Sequence, residues 1–303
     1  MKIERHNLFA GTPRTEVDAL AWLSNYINKT IPYIGHFKTL KDNVGRNFPQ
    51  ISKTLLHYFN FYQKVTNDLK KRELEQEALS LILKFSCSFF NKAYHPNQKV
   101  KVQFDDEVIE HEGIETTDYM GYTVWLQYMY LYITCRCDTG INLLKTTTRE
   151  RLLNSAQMHT SEADFTFIEF IQSIFLPEVK SSEAFQKAWQ ACMKAKEEYT
   201  GQDLGEILMI YAPTLLVYQA LFSGNSEAFN EQLFEALELH KEFYDSDREG
   251  AFFDYPENDG AVSWPLLAAC SIAYDSGLKV NVESDYIPKW LYEGEVRDWG
   301  LKF

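Results

Sequence analysis

Proline and glycine are scarce in this chain, 9 and 14 residues among 303, so few positions interrupt a helix. That excludes a loop-rich or disordered polypeptide. Cysteine is scarcer still. Cys87, Cys135, Cys137, Cys192 and Cys270 form no C-x-x-C pair and are too scattered for a disulfide framework, so buried, reduced thiols are expected. The closest pair, Cys135-Arg136-Cys137, has a spacing that turns the two thiols to different helix faces. The seven histidines are dispersed, and none stands three or four residues from another, the relation a helical metal site uses. The phosphate-cradling, dinucleotide, zinc-protease and nucleophile-elbow signatures are all missing. No catalytic residue, cofactor or metal ligand is assigned. The longest apolar stretch, 119–135, includes Gly121 and Gln127 and falls short of the roughly 20 residues of a membrane span. The opening Met1-Lys2-Ile3-Glu4-Arg5-His6 lacks the apolar run of a signal peptide, so a cytoplasmic protein is expected.

What the chain does have is aromatic bulk and acid. Aromatic residues make up 15%, which suits long helices packed by large side chains. The net charge of −13 is unevenly spread: residues 1–100 carry 15 Lys/Arg against 8 Asp/Glu (+7), residues 101–303 carry 15 against 35 (−20). The acidic part repels nucleic acid and anionic membrane and attracts basic partners.

Helical signals recur along the chain. Thr15-x-x-Asp18 opens one helix, and Pro49 stands in the first turn of another. Residues 70–91 read as one long helix ended by His95-Pro96-Asn97. The period then changes to two: Val100, Val102 and Phe104 alternate with Lys101, Gln103 and Asp105, and a turn at 105–107 leads to Val108. This predicts a β-hairpin, at the point where the basic third gives way to the acidic remainder. Helices resume after Thr117, with Asp138 capping a short one and Ser161-x-x-Asp164 forming a capping box. A helix opens at Ser181 or Ser182. Pro213 predicts a kink or break within 204–222, and Ser223-Gly224-Asn225 is a helix stop. Ser263-Trp264-Pro265 starts a helix that Gly277 closes. The aromatic tail 278–303 is expected to dock on the body. The fold is predicted to be mainly α, a multi-helix bundle or short stack of helical hairpins with one small β-hairpin. A helical subdomain spans 1–97; the hairpin and the remaining helices span 98–303.

Two acidic groups stand out, one at 105–118 and one at 242–259. Asp245-x-Asp247-x-Glu249-Gly250 begins like a calcium loop, but Pro256 stands where the closing Glu is needed. A solvated acidic surface and a patch that grips a basic protein remain as readings. In Glu110-His111-Glu112, strand geometry puts the carboxylates on one face and the histidine on the other, poor geometry for a shared metal.

Trp125-Leu126-Gln127, Cys135-Arg136-Cys137-Asp138 and Leu143-Leu144 resemble the central helix pair of the immunity protein 49 family of bacterial polymorphic toxin systems. Ala268-Ala269, Ala273-Tyr274-Asp275-Ser276-Gly277 and 282–291 (VESDYIPKWL) resemble that family's closing helix and tail. The likeness covers about residues 95–295. A second family, immunity proteins of a nuclease effector group, is similar in its closing helix and Tyr-Pro tail, but Tyr286-Ile287-Pro288 departs from its tighter Tyr-Tyr-Pro. Either resemblance implies a cytoplasmic, non-enzymatic protein that neutralises a cognate effector toxin domain by occlusion, with no nucleic acid or membrane as partner. A basic toxin would be steered to the acidic groups, and the candidate contacts are Asp105, Asp106, Glu110, Glu112, Asp245, Asp247, Phe253 and Asp254. A helical adaptor with an unrelated protein partner is the alternative, and an enzyme that reverses a toxin's modification is a third reading.

Overall fold

The computed structural model describes residues 1–5, 69–104, 107–116, 120–155, 160–245 and 260–302, with the single helical positions Ala21, Asn25 and Leu56. The expected helices after Thr15 and Pro49 lie outside the described residues, apart from those three positions. The structure is 65% helical, so the mainly α prediction holds. Two compact units divide the chain. One comprises Met1–Gly11, Ile133–Arg136 and Ala156–Glu295; the other comprises Thr12–Tyr132, Cys137–Ser155 and Val296–Phe303.

The unit containing the hairpin is built on helix α1 (Leu69–Tyr94), which starts and ends close to the predicted bounds. Residues 81–90 are buried on every side, so this is a core helix rather than an amphipathic surface one. The hairpin strands β2 (Lys99–Phe104) and β3 (Glu107–Glu112) pair antiparallel, with Val100 opposite His111 and Val102 opposite Ile109. Gly113 then passes the end of α1 so closely that a Cβ would lie 1.8 Å from the His95 carbonyl oxygen. Only glycine fits there. Helix α2 (Tyr122–Cys135) contributes its residues up to Tyr132 to this unit. Phe90 meets Tyr128 and Tyr132 edge-on at 5.4 and 6.4 Å, geometry that aromatic quadrupoles favour. Trp125 is 1% exposed, and its indole N–H donates to Thr147 Oγ1 at 2.9 Å. Helices α3 (Asp138–Leu144) and α4 (Arg149–Asn154) follow. Asp138 does not cap α3: the cap position is Cys137, without a side-chain bond, and Asp138 contributes only its charge to the first turn. All five cysteines are buried and free, with Cys87 and Cys137 sulfurs 3.6 Å apart.

The larger unit begins with β1 (Lys2–Ile3), which pairs in parallel with β4 (Glu283–Ser284). This second small sheet was not expected, because two-residue strands carry no readable period. Helix α5 (Glu162–Ser173) has the predicted capping box in full: Ser161 Oγ accepts from the Asp164 N–H and the Asp164 carboxylate accepts from the Ser161 N–H. It packs against α6 (Ser181–Glu198), with Phe170 and Phe185 edge-on at 5.8 Å. The run 204–222 stays helical: α7 (Gly201–Glu206) passes through a π-turn (Ile207–Tyr211) into α8 (Ala212–Phe222), so the wider turn before Pro213 stands where a kink or break was expected. Of the described residues, only Asp203–Phe222 makes a helix long and apolar enough to cross a membrane, and 67% of its window is buried inside the fold, the mark of a core helix. Asn225 caps α9 (Ser226–Tyr244) after the predicted stop, with Gly224 at φ 71°. Helix α10 (Trp264–Asp275) and the short α11 (Lys289–Tyr292) close the unit. The tail docks through Val282, Tyr286, Ile287, Trp290 and Leu291, all buried.

Candidate functional site

Each unit holds a largely enclosed cation, Arg136 in one and Lys92 in the other, that ties neighbouring elements together. Arg136 adopts φ 54° at the end of α2, a conformation that turns its side chain out of the helix path. Its guanidinium binds the Asp275 carboxylate at 3.0 and 3.3 Å and donates to the carbonyls of Leu291 (2.8 Å), Ser271 and Tyr292. One planar donor fork therefore fastens α10 and α11 together. Arg136 belongs to the Cys-Arg-Cys-Asp motif, so that motif encodes packing rather than catalysis.

Behind the hairpin, Lys92 of α1 is buried, and its Nζ lies 2.8 Å from His111 Nδ1. The ammonium donates, so Nδ1 is the acceptor of a neutral imidazole. Burial pulls the Lys92 ammonium down to about 8, with the Glu112 carboxylate opposing. His111 thus faces inward, opposite Glu110 and Glu112, as strand alternation requires.

The outer face of the hairpin carries the acids with bases across from them. Lys99 stands opposite Glu112 and Lys101 opposite Glu110, and Lys99 Nζ also reaches Glu110 Oε2 diagonally at 4.0 Å. These are solvent-exposed pairs, worth a few tenths of a kcal/mol, but they cancel much of the local field. Asp105 and Asp106 lie outside the described residues.

The acidic surface of the other unit is differently built. A groove of about 600 Å³ runs between β1 and α9, lined by Lys2, Ile3, Glu4, Phe234, Glu238, Lys241, Glu242 and Asp245. The α9 members recur at helical spacing along one face. Among the described lining residues four carboxylates meet two ammoniums, with Lys2 paired to Glu4 at 3.2 Å, and Phe234 adds apolar surface to this open groove. Arg5 secures the strand wall: it donates to the Asp285 carbonyl and sits 5.8 Å over the Tyr286 ring, and burial lowers it to about 10 against the pull of Asp285. His240 secures the helix wall, with Nε2 2.8 Å from the Gly260 carbonyl oxygen. Asp247, Phe253 and Asp254 lie outside the described residues.

Of the eight candidate contacts, Glu110 and Glu112 share the hairpin face and Asp245 lines the groove. Sequence reading left Glu4 and Glu238 out, because neither belongs to a dense acidic run. Their signal was helical spacing from Asp245 for Glu238; for Glu4, only the β1–β4 pairing reveals it. Among the described residues no group of three or more His, Cys, Asp or Glu could hold a metal ion.

A mainly α protein with acidic surfaces and buried charges used for packing is the class that these observations define. The family model described as immunity protein 49 matches residues 66–291. The chain belongs to the immunity protein 49 family. The match begins well before the hairpin and takes in the whole of α1, so the likeness reaches further toward the N-terminus than the tryptophan helix and tail suggested. No curated protein and no solved structure matches the chain significantly.

Proposed function

We propose that this protein neutralises a cognate effector toxin domain in the cytoplasm by binding and occluding it, without turnover. Membership of the immunity protein 49 family carries the reading. The open groove between β1 and α9 supports it: an acidic surface with an apolar residue among its carboxylates suits a basic segment, because its charge steers the approach and the carboxylates then pair with Arg and Lys. The buried charges fit the same role. Arg136 and Lys92 are held by packing partners and serve to fix surfaces.

The test is co-expression with the effector encoded beside this gene, followed by titration of the purified pair. Protection should saturate at a fixed stoichiometry, and a complex should co-purify. Protection of a large excess of toxin by a trace of this chain would overturn occlusion and point to an enzyme. Co-purification with an unrelated protein, and no protection, would favour an adaptor.

A further inference from the structure

Cys87 stands in the part of α1 that is buried on every side, and Cys137 is the residue just before α3. The Cys137 backbone is tied on both sides. Its N–H donates to the Tyr132 carbonyl at 2.8 Å, and its carbonyl accepts from the Ile141 N–H at 3.0 Å. Its side chain makes no capping bond. Helix α3 packs against α1, and Gly140 of α3 lies so close to Tyr132 that a Cβ would fall 2.4 Å from the ring. These contacts hold the Cys137 thiol against α1, where its sulfur lies 3.6 Å from Cys87 Sγ.

Two reduced sulfurs at that separation are in van der Waals contact. A disulfide needs about 2.05 Å, so bond formation asks for about 1.5 Å of approach, within reach of χ1 rotation and a small backbone shift. Helix α3 has 7 residues against the 26 of α1, so the shift falls on α3. Cys137 keeps 3% exposure and Cys87 none, so a small oxidant meets Cys137 first.

We propose that Cys87 and Cys137 are an oxidisable dithiol, converted by a hydroperoxide to a disulfide that locks α3 onto α1. With hydrogen peroxide the step balances as follows. The Cys137 sulfur attacks one peroxide oxygen and the O–O bond breaks; the departing hydroxide takes the thiol proton and leaves as water, and Cys137 becomes a sulfenic acid. Cys87 Sγ then attacks Cys137 Sγ. The S–S bond forms, the S–O bond breaks, and the second hydroxide leaves as water with the Cys87 proton. Two electrons have passed from the sulfurs to the peroxide. The contact with Cys87 decides the product, because a sulfenic acid beside a thiol condenses, whereas one without a neighbour is open to further oxidation. The two cysteines are 50 residues apart, so the bond closes a loop that contains the whole β2–β3 hairpin and restricts the unfolded chain accordingly. A thiol reductant reverses it.

The test treats the folded full chain with hydrogen peroxide, then unfolds it in a thiol-alkylating reagent. Every cysteine except Cys87 and Cys137 should take up the reagent. Peptide mapping should find these two joined, about 2 Da lighter than the two thiol peptides together, and a thiol reductant should return both to the alkylated set. The oxidised chain should melt about 5 °C or more above the same sample after reduction. In Cys87→Ala, peroxide should carry Cys137 on to the sulfinic acid, a gain of about 32 Da at that residue, with no rise in midpoint. The measurements on the parent need no variant. Alkylation of Cys87 and Cys137 after peroxide, or a bond that joins either to another cysteine, overturns the proposal. An oxidised parent that melts no higher than its reduced form, or a rise that survives in Cys87→Ala, overturns the lock.

Discussion

The hairpin β2–β3 and the groove along α9 are both acidic in sequence, yet they present different fields. On the hairpin, the antiparallel register sets Lys99 and Lys101 opposite Glu112 and Glu110, so the charges are answered across the ladder. Along α9 the acids share a helix face with one lysine, and the neighbouring strand adds Glu4 together with Lys2. The first surface is mixed, and the described lining of the second holds two more acids than bases. Acidic density along the chain therefore says little about potential; pairing geometry decides it.

The largest effect expected from this difference is kinetic. Reversing Glu238, Glu242 and Asp245 to Lys should slow association with a basic toxin domain by about tenfold or more at low salt, and flatten its salt dependence. Stopped-flow measurement at several ionic strengths checks this. An unchanged rate would remove the groove from consideration and leave the binding face elsewhere.

The second effect concerns stability and sharpens the contrast from behind the hairpin. Lys92 is charged at neutral pH although burial lowers its proton affinity to about 8. A base with a lowered folded value costs stability below that value, and the cost fades as pH rises from about 8 toward the ordinary lysine range. Lys92→Met should raise stability at pH 7 by about 1 kcal/mol, because apolar replacement of a buried charge is often stabilising. It should also abolish the alkaline rise in denaturation midpoint expected of the parent. Loss of stability at pH 7 would mean that the bond to His111 outweighs the desolvation of the ammonium.

Much of the fold was legible because it is written in local chemistry. The Ser161–Asp164 box, the Ser223-Gly224-Asn225 stop, the Trp264-Pro265 start and the alternating hairpin each depend on neighbours a few residues apart. What escaped reading depends on distant ones. The β1–β4 pairing joins residues about 280 apart, and the hub at Arg136 gathers acceptors from 271–292. Pro213 suggested a break, but the π-turn that stands there, with Tyr211 bonded to Asp164 47 residues earlier, joins positions too distant to read together. The candidate surface was half legible. Asp245 belonged to a visible acidic run, whereas the lysines that neutralise Glu110 and Glu112 could be paired with them only once the register was known.

That register sets the smallest expected effect. Glu110→Lys with Glu112→Lys would place each new ammonium directly opposite an existing one, at Lys101 and Lys99. Like charges facing across a ladder destabilise it, here by about 0.5 kcal/mol because both sides are solvated and screened. The ladder hydrogen bonds and the inward Val102 are untouched, so the hairpin should persist in the circular dichroism spectrum. Toxin association should change by less than about twofold, since the parent face carries little net field to lose. The decisive comparison is between this pair and the triple reversal in the groove, measured against the same toxin at the same salt. If the hairpin reversal slows association as much as the groove reversal does, cross-strand pairing does not neutralise the hairpin, and both acidic surfaces take part in steering.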